Sequence, residues 1–235
     1  MSSNLAVKLR AGTQHSHTMA ENVGLMKCVL KGIVDRDIFA TFLGNLYYVY
    51  SELEAAIESN LKHPFIGALY FPELNRKAFL EKDMVFYYGK DWRSLVTPSP
   101  VTQTYINRIR ELSANEPALL LGHAYTRYMG DLSGGQMFQK VVQLALKLSG
   151  YEGTSFYNFE QITDKNAFKN KYRQALNELP VDDATVNRIV AEANHGFKLN
   201  MQIAQELEES LIKAVGKDTF NRLTNSDNPG STEIA

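Results

Sequence analysis

The run Arg127-Tyr128-Met129-Gly130-Asp131-Leu132-Ser133-Gly134-Gly135-Gln136 places glycines around a single carboxylate. Ala118-Leu119-Leu120-Leu121 leads through Tyr125 and Tyr128 into the run. Phe138, Val141, Val142, Leu144, Ala145 and Leu148 follow at helical spacing. If the helix continues through the run, its three interior glycines cost about 3 kcal/mol relative to alanine. Gly130 and Gly134 stand four apart and share a face. A helix bared on that face lets a flat ligand lie on its backbone, with the Asp131 carboxylate at the edge. The alternative is a plain turn between two helices, capped by Ser133 or Asp131. A phosphate loop fits less well, because there is no GxxxxGK[ST] pattern and no strand pattern before the run.

The histidines are His15, His17, His63, His123 and His195. No two form HxxxH or HExxH, which excludes a zinc-protease site. Glu192-Ala193-Asn194-His195 is a single ExxH match, whereas a di-iron bundle needs two. His17 stands four residues before Glu21, which can orient the imidazole through its second nitrogen, directly or through water. On a helix His15 points about 200° away from His17. A lone histidine on a first helix is more often solvated or capping than a ligand. Lys169 and Arg173 lie in a basic stretch, share a helical face, and suit two carboxylates on one ligand edge. For that stretch alone a solvated face is the simpler account. Arg10, two turns before His17, adds a further cation. Combined, these groups describe a flat, dianionic, iron-bearing ligand with histidine on one face, bare backbone on the other and cations at the rim. Haem has that shape.

The elements that must hold these groups read as helices. Phe39, Phe42, Leu46, Val49, Tyr50, Leu53 and Ile57 step by three or four, as do Val186, Ile189, Val190, Ala193, Phe197, Asn200, Ile203, Leu207 and Leu211. Asp35 or Asp37 caps the first series and Asp182 or Asp183 the second. Leu5, Leu9, Thr13 and Ala20 mark an ordinary first helix. The absence of acidic residues before Glu21 also overlaps with a transit peptide, but no processing signal separates the segment from the next helix. His63-Pro64 is expected to end a helix. Pro72, Pro98-Ser99-Pro100, Pro117 and Pro180 mark other breaks, and Gly89 a C-cap. Phe156-Tyr157-Asn158-Phe159 is β-like but has no partner strand. The expectation is an all-α, single-domain fold of eight or nine helices over residues 1–224, then a polar, disordered tail over 225–235.

Composition narrows the classes. The 235 residues are 44% hydrophobic with 12 Tyr and 12 Phe, enough for a well-buried core. A net charge of −1 gives no argument for nucleic acid or membrane partners. Cys28 is the one cysteine, so an internal disulfide and a CxxC metal site are excluded, and a reducing compartment fits. No apolar run reaches the roughly 18–20 residues that span a bilayer, and a cytoplasmic location is expected.

Set in order, these runs resemble the haem oxygenases over nearly the whole chain. His17-Thr18-Met19-Ala20-Glu21-Asn22 resembles the family's proximal-ligand motif. Leu46-Tyr47-Tyr48-Val49-Tyr50, Tyr70-Phe71-Pro72-Glu73-Leu74, Ala124-Tyr125-Thr126-Arg127-Tyr128, the glycine run, and Phe168-Lys169 with Tyr172-Arg173 follow in family order. The resemblance implies haem b, as substrate and cofactor, sandwiched between a proximal helix and a glycine-kinked distal helix. His17 would be the axial iron ligand and the sole metal-binding side chain, with Glu21 behind it and no non-haem metal. Gly130, Gly134 and Gly135 would line the distal face, leaving the sixth position to dioxygen. Asp131 would hold ordered water, backed by Tyr50, Arg127 and Asn200. Arg10, Tyr125, Lys169 and Arg173 would hold the propionates, and Met26 and Phe197 would form pocket wall. The implied reaction is cleavage at the alpha meso carbon to biliverdin, carbon monoxide and ferrous iron. Reduced ferredoxin would be the electron donor, docking near Lys169 and Lys171, and a bilin reductase a downstream partner. Two positions depart from the family pattern: Gln14 replaces a lysine near a propionate, and Ala204 a bulky aromatic, widening the pocket. Competing functions are a haem carrier or sensor, a helical enzyme of related fold that binds no haem, and a structural module.

Overall fold

The computed structural model describes residues 4–225, and every regular element among them is helical. The chain opens with α1 (Leu5–Glu21), α2 (Gly24–Leu30) and the long α3 (Arg36–Ser59), followed by α4 (Pro64–Ala68). Next come α5 (Lys77–Tyr88), α6 (Trp92–Leu95) and α7 (Pro100–Asn115). Helix α8 (Leu120–Ala124) passes through a π-helical turn at Tyr125–Met129 directly into α9 (Gly130–Leu146). The last elements are α10 (Lys165–Glu178), α11 (Asp183–Gln205), α12 (Glu208–Val215) and α13 (Lys217–Thr224). Short 3-10 turns occupy Pro72–Leu74, Pro117–Leu119 and Ser155–Tyr157.

Among the described residues thirteen α-helices replace the eight or nine expected. The surplus is in α4, α6, α8, α12 and α13, which are too short to show a period in the window of about 11–18 residues that reveals amphipathicity. The caps explain where the long helices start. Asp35 Oδ1 accepts the amides of Asp37 and Ile38, both at 3.0 Å, and Asp182 Oδ1 accepts Thr185 N at 2.7 Å. The expectation at His63-Pro64 is overturned. Helix α3 has already ended at Ser59; His63 Nδ1 accepts the Phe65 amide at 3.3 Å and Pro64 is the first residue of α4. A proline whose missing N–H would be unpaired anyway starts a helix here. Gly89, at φ +78°, ends α5 as its sequence position implies.

Helix α3 runs through the core: Leu43, Leu46, Val49, Tyr50 and Leu53 are all buried, and the helix packs against α5 and α7. Helix α1 buries Leu5, Leu9 and Thr13 and lies along α11, as the first-helix reading implies. Among the described residues no helix is long and apolar enough to cross a membrane. Residues 226–235 of the expected tail lie outside the described residues.

Helices α8 and α11 approach closely through their backbones. A Cβ built on Gly122 would stand 2.8 Å from both Ala193 N and Ile189 O, which are main-chain atoms with no rotamer to yield. Gly122→Ala is therefore expected to force the two helices apart and lower stability by about 1–3 kcal/mol, read as a fall in the thermal unfolding midpoint.

Candidate functional site

Helices α1 and α2 face α9 across a cavity of about 230 Å³, with α11 closing the back. His17 and Glu21 reach it from α1 and Met26 from α2. Helix α9 contributes Gly130, Asp131, Gly134 and Gly135, and α11 contributes Phe197 and Asn200. The structure thus joins most of the residues singled out in sequence, although they come from opposite ends of the chain.

The glycine run is helix, not a turn, and Gly130 sits at φ −60°, ψ −50°. A Cβ at Gly130 or Gly134 would meet nothing among the described residues within 4 Å. Packing therefore does not demand glycine at either position; the missing side chains leave the cavity its space. Gly135 differs. It lines the cavity, but a Cβ there would lie 3.0 Å from Tyr157 Cδ1, so close packing against that ring also favours glycine.

His17 is half-buried, and burial lowers its pKa, opposed by Glu21. At neutral pH the imidazole is neutral, as a metal ligand must be. Its Nδ1 is 3.8 Å from Glu21 Oε1, beyond direct hydrogen-bond range and short enough for a bridging water. The Phe197 ring meets the imidazole edge-on at 5.9 Å.

On the opposite side a polar network lies behind the glycines. The Tyr50 hydroxyl donates to Asp131 Oδ2. Arg127 Nε donates to the Tyr50 oxygen at 3.0 Å and Arg127 Nη1 to Asn200 Oδ1 at 2.8 Å. Arg127 Nη2 stands 3.5 Å from Asp131 Oδ1. Tyr50 does not line the cavity; it is fully buried on α3 and acts on the site through Asp131. Burial raises the Asp131 carboxyl, against the pull of Arg127, the Tyr50 hydrogen bond and Arg76. Burial alone would lower the Arg127 guanidinium, but the surrounding Tyr50 and Asp131 oxygens outweigh it and raise it.

Arg10, Tyr125, Lys169 and Arg173 form a separate group outside the cavity lining. Burial raises the Tyr125 phenol, with Arg173 and Arg10 acting against it. Burial lowers Arg173 and Lys169, and each also feels a neighbouring arginine: Arg10 acts on Arg173, and Arg173 on Lys169. Arg173 Nη1 bonds Asn170 Oδ1 at 2.8 Å, while its Nε is buried with no hydrogen-bond partner among the described residues. A buried, unpaired guanidinium N–H beside other cations is what a carboxylate would satisfy. The open glycine face, the neutral imidazole and this orphaned donor all fit haem.

The other histidines are accounted for. His15 and His195 are exposed and His63 is a cap. His123 is buried between Tyr105 Oη at 3.0 Å and Glu192 Oε1 at 2.9 Å. Glu192 bonds His123 and Arg108 rather than His195, so the ExxH match carries no site. Gln14 is exposed and away from the cavity, whereas Ala204 is buried and presents only a methyl to it.

Sequence reasoning missed the floor of the cavity, formed by Phe156 and Tyr157. Their segment carries no helical period. Asp83 accepts the Ser155 and Phe156 amides, both at 2.8 Å, and the buried Arg76 donates to the Asn158 carbonyl at 2.8 Å. The π-turn at Tyr125–Met129 left no signal either, since its residue types are those of ordinary helix.

The "Heme oxygenase" family model matches residues 3–206. Heme oxygenase 1 of Nostoc is 52% identical over 100% of this chain and 99% of its own length. The heme oxygenase of the alga Rhodella violacea is 47% identical, covering 97% of each. Among solved structures, Synechocystis heme oxygenase-2 in complex with heme and NO superposes with a TM-score of 0.97 at 49% identity, over 99% of this chain and 96% of that one. Heme oxygenase-1 of the same cyanobacterium, in complex with heme, gives 0.89 at 52% identity, over 94% and 100%.

Gly134→Ala separates the fold's needs from the site's. Helix propensity favours alanine by about 1 kcal/mol and nothing in the protein obstructs it. The ligand-free variant is expected to melt at a higher temperature than the parent, while its haem affinity, followed at the Soret band, falls.

Proposed function

From the premise that the chain belongs to the haem oxygenase family and is an oxidoreductase of that class, we propose how its residues serve the reaction. The cavity between α1 and α9 takes haem b. When bound, haem supplies both the iron that activates dioxygen and the macrocycle that is opened at the alpha meso carbon to biliverdin, carbon monoxide and ferrous iron. The observation that carries this reading is the opposition of neutral His17 to the bared Gly130–Gly134 face across one cavity.

Each residue then has a role. His17 would hold the haem iron through its imidazole, oriented by Glu21 through water. Gly130, Gly134 and Gly135 offer no side-chain atom that could ligate iron, so the α9 face would leave room for dioxygen beside bound haem. Asp131 holds water over that face. The Tyr50 hydroxyl fixes Asp131 Oδ2, and Arg127, anchored on Asn200, fixes Tyr50, so the carboxylate cannot rotate away. Its raised pKa brings its proton affinity closer to neutrality, which suits a group relaying protons to the reacting oxygen. Met26 and Phe197 shape the wall. Arg10, Tyr125, Lys169 and Arg173 hold the propionates and so set which meso edge faces Asp131; the small Ala204 leaves that choice less strictly enforced.

Residues 1–224 form the catalytic domain, acting in the cytoplasm without non-haem metal. Reduced ferredoxin supplies electrons, docking against Lys169 and the exposed Lys171 by charge complementarity. A bilin reductase consumes the biliverdin, in keeping with the relatives from Nostoc and Synechocystis.

The direct test is haem titration followed by single turnover with ferredoxin, its reductase and NADPH. Loss of the Soret band with growth of biliverdin absorbance supports the enzyme; a Soret band that persists under reduction means a carrier or sensor. Asp131→Ala is expected to keep haem binding but divert the complex to peroxidase-like chemistry without biliverdin, and a normal biliverdin yield from it would remove the proposed role. Charge reversal at Lys169 and Lys171 together is expected to slow ferredoxin-driven turnover and flatten its salt dependence; unchanged rates would place the docking face elsewhere.

A further inference from the structure

Helix α2 has two working faces. Val23, at its start, with Met26 and Leu30 line the cavity. The other side rests on the C-terminal helices α12 and α13. Val23 offers no side-chain cap, and the Gly24 amide instead donates to Glu208 Oε1 of α12 at 2.9 Å. Phe220 of α13 lies so near that a Cβ on Gly24 would stand 2.5 Å from its Cζ. Lys27 Nζ donates to the Thr224 carbonyl and Lys31 Nζ to the Leu223 carbonyl, each at 2.9 Å. Lysines of α2 thus close the end of α13.

The attachment is local. Helix α13 has eight residues and no fully buried side chain, and it packs chiefly on α2 and α12. A helix of that length does not hold its shape alone in water. It is joined to α12 through Gly216 at φ +86°, a conformation that suits a hinge. Few buried apolar contacts and a hinge place this segment among the first to open.

We propose that the α12–α13 hairpin is a strap that positions the proximal wall of the cavity, with Glu208 and Phe220 as positioning residues acting through α2. Closure of the strap and occupation of the cavity by haem then favour one another, because each holds one face of the same short helix. This rests on the reading of the cavity as the haem site.

The chain carries its own reporter. Cys28, its single cysteine, lies on α2 with no exposed surface. Burial raises the thiol, with Glu208 adding to that effect and Lys31 opposing it. Reaction with a thiol reagent therefore requires local opening.

The experiment follows Cys28 labelling by DTNB in the full chain, with and without haem, beside the rate of haem loss to apomyoglobin. Phe220→Ala is expected to accelerate both by about tenfold at unchanged far-UV helicity. Glu208→Gln, which keeps the size and loses the charge, moves both in the same direction by less. In the parent, haem is expected to slow labelling. Faster labelling with unchanged haem loss in the variants, or haem binding that leaves parent labelling unchanged, overturns the strap. If Phe220→Ala fails to fold, Glu208→Gln decides between these outcomes. A parent chain that binds no haem at all instead overturns the functional reading, and the inference with it.

Discussion

A single guanidinium ties the site together. Arg127 leaves the π-turn between α8 and α9, bonds Tyr50 on α3 and Asn200 on α11, and stands beside Asp131 on α9. Three long helices meet at its planar fork, a geometry that lysine could not reproduce. Burying this cation is tolerable only because phenol, amide and carboxylate oxygens surround it. The same contacts that satisfy the arginine immobilise the carboxylate facing the cavity. Structure and function share one set of hydrogen bonds here, so loss of Arg127 would disturb packing and the site together.

A second buried cation acts further out. Arg76 spends its donors on backbone carbonyls of the segments at residues 73–74 and 156–158, and its guanidinium lies over the Phe159 ring at 3.9 Å. Glu54 on α3 accepts Arg76 N at 2.5 Å and Lys77 N at 3.0 Å, standing in for the cap that α5 lacks. Burial lifts Glu54 to about 7 and Asp83 to about 6, each against its own hydrogen bonds. Both carboxyls are held above their unfolded values, so the stability they contribute is full below those values and is lost as pH rises through the folded ones. Their contribution to folding stability is thus largest in acid and falls toward neutrality.

The long helices α3 and α11 were legible because their apolar residues recur over many turns and each opens on an Asp cap. The opposition of His17 to the glycine run was legible by chemistry: an imidazole, a bare helical face and two cations four apart describe one ligand. What stayed hidden has physical reasons. Helices of one or two turns show no period. The start of α4 reads as a stop because proline serves both ends of a helix. The Phe156–Tyr157 floor is held by side-chain-to-backbone bonds from Asp83 and Arg76, which are remote in sequence. Gly135 looks like its neighbours in the run, but its distinct packing needs the Tyr157 ring to be seen.

The π-turn at Tyr125–Met129 sets the rotational phase of α9. A π-turn carries one residue more than the α-helical hydrogen-bond ladder needs. Removing one residue there would restore a regular helix and swing everything downstream by about 100° relative to everything upstream. Gly130, Gly134 and Asp131 would then turn away from His17 while every element kept its identity. The site therefore depends on phase along one helix as much as on which residues that helix carries.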